Sequence, residues 1–448
     1  MIRRKKAIIV ITLLVIAHLS YAGGILTNTN QSAQYVRMLA RNASTDVDAV
    51  YYNPAGMTQL SDGWHISISN QTIFQEKKIT NDLATLNNDE YIGDVNAILF
   101  PNIYAAYKKD KLAFSFGFAP VAGGGSAEYK TGLPSFEMGL SQMPGGITAG
   151  GIPTTAYSAD ILFKGSSAYL GIQLGAAYEI NEMISVAVGA RYNMATNNYE
   201  GHIKDIMINP TFPPYFDGSM TSAPDFFAAI GQAERAAMTA DTEVEAEETG
   251  SGITPLIGVN LTLNEKLNVA VKYEMNTAIE LETSAAKPLP GMFEDGAKRN
   301  HDIPAMLNVG LNYAASPELD VALAMNYYFE ESALWGTDDE NAAEYLDGNS
   351  MEIALGLEYD LNEKWILSGG ANYAMSGAAG SDYQRDLEHD LGSITGALGL
   401  RYKLSDSIDL DIGGLFTQYF EDEIDFGAYK ETYNRVTQAV AVGIGYHL

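Results

Sequence analysis

The side chains that could do covalent chemistry are few and scattered. The 448 residues contain no cysteine, which removes thiolate metal sites, cysteine nucleophiles, disulfides and lipid attachment through an N-terminal Cys. Of six histidines, the five beyond the N-terminal segment (His65, His202, His301, His389, His447) lack metal-ligand spacing. Neither a Gly-x-Ser-x-Gly elbow nor a phosphate loop is present, so no enzyme, metal or cofactor is expected. A formal charge of −29 with no basic patch argues against nucleic acid. What remains is apolar recognition. Phe212, Phe226, Phe227 and Ile230 stand close together in a Pro-rich stretch. Exposed, they would capture a lipophile; the alternative is that they pack against the Gly-rich stretch 120–165. A helix is expected from Asp225 to Ala240.

The elements that position these residues follow from the N-terminus onward. Arg3-Arg4-Lys5-Lys6, an apolar run from Ala7 to Ala17 and Ser20-Tyr21-Ala22 make residues 1–22 a signal peptide. The run is too short for a membrane helix, which needs roughly 20 apolar residues. No later segment is apolar enough either. An exported chain of this kind is soluble or crosses the membrane with strands.

From Trp64 onward, short segments alternate with period two. Leu112, Phe114, Phe116 and Phe118 alternate with Ala113, Ser115, Gly117 and Ala119, and Val440, Val442, Ile444 and Tyr446 with Ala441, Gly443 and Gly445. Alternation alone also fits a soluble sandwich, but the connections separate the two. Short turns at Lys109-Asp110, Asn181-Glu182, Asn264-Glu265, Ser316-Pro317, Asn362-Glu363 and Ser405-Asp406 alternate with long polar or Gly-rich stretches near 78–97, 120–165, 203–252, 283–302, 330–349, 376–390 and 421–431. That spacing yields fourteen strands, short turns on one side and long loops on the other. Tyr107, Tyr178, Tyr313, Tyr359, Tyr402 and Tyr446 each fall just before a short turn or the chain end. Such a ring marks one membrane interface. The expected fold is an all-β, fourteen-stranded antiparallel transmembrane β-barrel over 64–448. Residues 23–63 have helical spacing and a Pro-Gly break, and fit best inside the lumen as a small helical hatch. The acidic excess falls mostly in the long loops, a solvated face.

The hatch carries Ala43-Ser44-Thr45-Asp46 and then Asp48-Ala49-Val50-Tyr51-Tyr52-Asn53-Pro54-Ala55-Gly56, directly before the first strand. In this order and place the sequence resembles the FadL/TodX family of outer-membrane transporters for long-chain fatty acids and other hydrophobic molecules. The resemblance implies a bacterial outer-membrane protein among lipid and lipopolysaccharide, and a likeness expected to act as a monomer. It implies a hatch whose Asn53, Pro54, Ala55 and Gly56 lie near the wall, and capture of ligand by the loop holding Phe212 and Phe226. It also implies a lateral exit at a kink in the third strand, here Gly117, Phe118 and Pro120. Gly and Pro permit such a kink, although Pro120 could equally end the strand. A fatty acid would need a cation for its carboxylate: Arg191 has lumen parity on the fifth strand, and Lys298 and Arg299 lie near the loop after the seventh. A channel for polar solutes and a structural or adhesive surface barrel are the competing readings.

Overall fold

The computed structural model describes residues 32–289, 292–337 and 340–448. The segment 1–22 expected to be a signal peptide and the first residues assigned to the hatch lie outside the described residues. No described helix is long and apolar enough to cross a membrane.

Fourteen antiparallel strands form the wall: β1 Gly63–Asn81, β2 Glu90–Lys109, β3 Leu112–Tyr129, β4 Tyr157–Asn181, β5 Ile184–Ile208, β6 Thr242–Asn264 and β7 Leu267–Glu274, continued by Glu280–Lys287. The others are β8 Met306–Ser316, preceded by Lys298–His301, β9 Leu319–Tyr328, β10 Met351–Asp360, β11 Trp365–Met375, β12 Ser393–Ser405, β13 Ile408–Tyr419 and β14 Lys430–His447. The last strand pairs back on the first, with Ile66 opposite Tyr446 and Gln75 opposite Thr437, so the barrel closes and no edge is left. All six short turns fall where the sequence places them.

The faces are inverted relative to a soluble protein. Large apolar residues point outward and stay exposed, as with Leu174 at 61% and Leu398 at 72%. The inner wall is built instead of small residues: Ala106, Ala113 and Ala441 are completely buried. Only a lipid solvent makes that arrangement favourable, which separates the barrel from a sandwich. The expected tyrosines sit at the short-turn end, joined by Trp64, 4.9 Å from Tyr107, and Trp365, 4.4 Å from Tyr402 between ring centroids.

The expected loops are too wide in one region. β4 and β5 run for 25 residues each and β6 for 23, more than twice the roughly 9–11 a span requires. Much of 120–165 and 203–252 is therefore strand projecting beyond the membrane. The projecting part of β6 still alternates, with Val244, Ala246 and Glu248 buried and Glu245 and Glu247 exposed, but its outward face is acidic where that of a membrane span is apolar, so it reads as a polar loop.

Candidate functional site

The lumen is occupied by the N-terminal segment. Helix α1 (Ala33–Arg37) is capped by Ser32, whose side chain accepts from the Tyr35 amide; α2 (Ala49–Tyr52) and a 3-10 turn over Pro54–Gln59 follow. Nearly every residue from Ser32 to Leu60 is buried. The Asn-Pro-Ala-Gly run has a direct geometric reason. Asn53 Nδ2 donates to the Ser44 carbonyl at 3.0 Å and to Asn260 Oδ1 on β6 at 2.7 Å. Pro54 opens the 3-10 turn, where its missing N–H costs nothing. Ala55 is fully buried. A Cβ on Gly56 would stand 2.3 Å from Asn53 Nδ2 and 2.5 Å from the Ser44 oxygen, so a larger residue would break the bond that ties the turn to the wall.

Two ionic networks lock the hatch. Arg41 grips both oxygens of Asp48 at 2.7 and 2.8 Å and reaches Glu358 on β10 at 3.2 Å. Arg37 pairs with Glu358 at 2.6 Å and with Asp411 on β13 at 2.8 Å. Asp411 also holds Arg401 of β12 at 2.9 Å, and Arg401 returns to the hatch through Asp46 at 2.6 Å. On the opposite side Arg191 makes a two-pronged pair with Glu274 at 2.8 Å and bonds Gln173. Lys272 joins Glu274 to the Tyr51 carbonyl, at 2.7 Å each, and Gln173 donates to the Val50 carbonyl at 2.6 Å. Buried charges are stable only when paired this completely.

These pairings bear on the cations named for a carboxylate. Arg191 is buried against Tyr51 of the hatch, 4.9 Å from its ring centre, and committed to Glu274 and Gln173. Arg299 holds both oxygens of Glu248 at 2.7 and 2.8 Å. Lys298, on the outside, lies 2.7 Å from Glu280. Each would have to surrender a carboxylate of the chain before meeting one from a ligand.

Above the hatch is a cavity of about 160 Å³, touched by Tyr35 of α1 and by Ile73, Gln75, Phe100, Leu415 and Thr437 of the wall, among others. Its Phe100 belongs to a segment where the wall is irregular. The β2–β3 ladder runs from Lys109/Leu112 to Ile103/Phe118, then resumes only at Val95/Ala127. Between them β3 also slips twice against β4, after Pro120 and after Ala122, and β2 bulges Ile98 and Leu99 outward. Gly117, Phe118 and Pro120 sit at the lower margin of this interruption; Pro120 does not end the strand, which continues to Tyr129. Gly117 faces inward, where a Cβ would come 3.2 Å from Val50 of the hatch.

The loop aromatics are a partial correction. Phe226 and Phe227 are buried with Met143, Ile147, Tyr157 and Ile208, so they hold the β5–β6 loop on the β3–β4 loop instead of facing solvent. Phe212 remains exposed and Ile230 half-buried. The helix expected from Asp225 to Ala240 is two shorter ones, Ala223–Ala229 and Ala233–Met238. An apolar loop helix reads the same in sequence whether water or another loop covers it.

The loop from Ser376 to Gly392 closes the cavity from outside, through Asp390 and Leu391. Burial pushes the Glu388 carboxyl in this loop up to about 8, and burial with the neighbouring Asp390 charge raises Glu330 to about 8. A carboxyl raised in the docked loop contributes stability fully present below its ordinary value near 4.5 and lost as pH rises through about 8. Trypsin cleavage after Arg385 should therefore be several-fold faster at pH 8.5 than at 6.5, after correction for the protease's own profile. Glu388→Gln should flatten that difference.

Geometry and fold together define a hatch-plugged, fourteen-stranded transmembrane barrel. No protein-family model and no curated protein matches the sequence. Solved structures share the fold. A Pseudomonas aeruginosa FadL homologue is similar at TM-score 0.66 and 13% identity, over 95% of this chain and 99% of that one. The Pseudomonas putida toluene transporter TodX is similar at 0.57 and 14%, over 95% and 98%. The Ralstonia pickettii toluene transporter TbuX follows at 0.54 and 16%, over 90% and 94%. The chain has the FadL-type fold over nearly its whole length.

Proposed function

We propose that this barrel carries hydrophobic small molecules, long-chain fatty acids foremost, passively across the bacterial outer membrane. The observation that carries this reading is the cavity above a hatch that fills the lumen and is ion-paired to the wall, bounded by Phe100 in the stretch where β2 and β3 leave their ladder. A sealed lumen suits a lipophile better than a polar solute, because a conduit for polar solutes needs continuous water and a lipophile needs only an apolar pocket and a way into lipid. Extracellular loops, with Phe212 among their exposed residues, collect the ligand; the cavity holds it; Gly117, Phe118 and Pro120 border its sideways release. Similar proteins that transport toluene make a neutral aromatic the second ligand class to test.

The test is uptake of radiolabelled oleate and toluene by Gram-negative cells that lack other lipophile carriers. Cells expressing the chain should accumulate oleate several-fold faster than cells with an empty vector. No increase for either compound would refute the reading.

A further inference from the structure

The short-turn end of the lumen carries a chain of hydrogen bonds that ligand transport does not use. There His65 of β1 and His447 of β14 are directly opposed across the closing seam of the barrel. Their Nδ1 atoms are 2.9 Å apart and their ring centres 5.2 Å, so both nitrogens lie close to the line between the rings. Each is aimed at the other.

The outer nitrogens decide what lies between them. His65 Nε2 is 2.8 Å from the Ser61 carbonyl, which can only accept, and so carries a hydrogen. His447 Nε2 is 3.1 Å from Asp409 Oδ2 on β13, a carboxylate that likewise accepts. With both Nε2 atoms protonated, two neutral rings would turn bare lone pairs on one another. The contact is stable only with a positive charge in the gap. A metal ion needs about 2.0–2.1 Å to each imidazole nitrogen, more than this straight gap allows. One proton fits, because 2.9 Å is an ordinary hydrogen-bond length. The pair is then an imidazolium donating to an imidazole, with the Asp409 carboxylate beside it as counter-charge.

The other charges in reach are Asp46 of the hatch, Arg401 of β12 and Lys108 of β2. Arg401 is paired with Asp46 and Asp411, and Lys108 with Asp62, so neither cation stands uncompensated against the pair. His65 is buried and His447 half-buried, which lets water at the short-turn end deliver and remove the proton.

What these bonds fasten is the joint of the hatch. Ser61 lies between the 3-10 turn that ends at Gln59 and Gly63, the first residue of β1. Its carbonyl is tied through the two rings to β13. On the other side of the joint Asp62 accepts from Lys108 and from the Asp110 amide, groups that do not titrate near neutrality.

We propose that His65 and His447 share one proton and so form a pH-sensitive latch that fastens the hatch joint at Ser61 to the last two strands of the barrel. The latch is complete while the proton is bound and is lost as pH rises through the titration of the pair. The lone pairs then repel, the Nδ1 contact opens and Ser61 loses its anchor. This device operates whichever ligand the lumen carries.

The test is nitrogen NMR of the isotope-labelled histidines in detergent-solubilised protein, with His447→Gln identifying the pair. At pH 5.5 both Nε2 atoms should be protonated with one further proton shared between the Nδ1 atoms, and that proton should leave in one step by pH 9. Amide exchange over residues 59–63, corrected for its intrinsic pH dependence, should be at least fivefold faster at pH 9 than at pH 5.5. His447→Gln, with folding checked by heat-modifiable gel mobility, should abolish that step. Two neutral rings at pH 5.5, an exchange step absent from the wild type, or one that survives in the folded variant would overturn the latch. The wild-type titration and exchange decide even where the variant fails to assemble.

Discussion

Asp411→Ala is expected to make the barrel leak past its hatch. Asp411 is the shared carboxylate between Arg37 of the hatch, at 2.8 Å, and Arg401 of the wall, at 2.9 Å, and it is almost wholly buried. Removing it leaves two guanidinium groups facing one another, with Glu358 and Asp46 as the remaining anions. Breaking a buried pair in this way typically costs about 3–5 kcal/mol. The wall can absorb little of that cost. A Cβ on Gly399 or Gly413 would come 2.2 or 2.6 Å from Arg37 atoms, so α1 already rests directly on wall backbone. The strain should therefore be relieved by unseating the hatch while the strand ladder stays closed. Liposomes containing the variant should swell in arabinose at least tenfold faster than those containing the wild type. Unchanged swelling in a folded variant would show that the network does not hold the seal.

The second large effect concerns the wall. A Cβ on Gly125 of β3 would lie 3.1 Å from the Ala97 Cβ of β2, across the stretch where their ladder is interrupted. Disulfides bridge Cβ atoms about 3.5–4.5 Å apart, so Ala97→Cys with Gly125→Cys needs only a slight widening. The chain has no native cysteine to compete for the bond. Gly125 has φ +90°, and a side chain there costs on the order of 1–2 kcal/mol, which the single Gly125→Cys variant controls for. If ligand leaves between β2 and β3, the oxidised double variant should take up oleate at least tenfold more slowly than either single variant. Reduction should restore it. Equal uptake in the oxidised and reduced forms would place the exit elsewhere.

Much of the fold was legible because lipid imposes period two on both faces and because short turns have recognisable chemistry. Asn181, for example, accepts from the Met183 and Ile184 amides, which is why Asn-Glu marks that turn. The hatch was legible as a segment that could not fold alone. The charges that seat it were not. Arg37 and Arg41 lie 321 and 317 residues from Glu358 in sequence, and only the closing of the barrel around the hatch makes them neighbours. The available signal was parity: a charged residue in phase with inward alanines inside a strand must find a partner or a ligand. Applied to Arg191 alone it found a buried cation that already has its partners. Phe226 and Phe227 escaped for a different reason, since burial of one loop under another leaves no period in the sequence.

The proposed barrel is closed to water and open to lipophiles. Outer-membrane vesicles from expressing cells keep the lipopolysaccharide leaflet that slows lipophiles, so oleate and arabinose permeation can be measured on one membrane. The chain should raise oleate influx several-fold and leave arabinose influx at the level of vesicles without it. A rise in arabinose influx matching or exceeding that of oleate would contradict a hatch-sealed, lipophile-selective barrel.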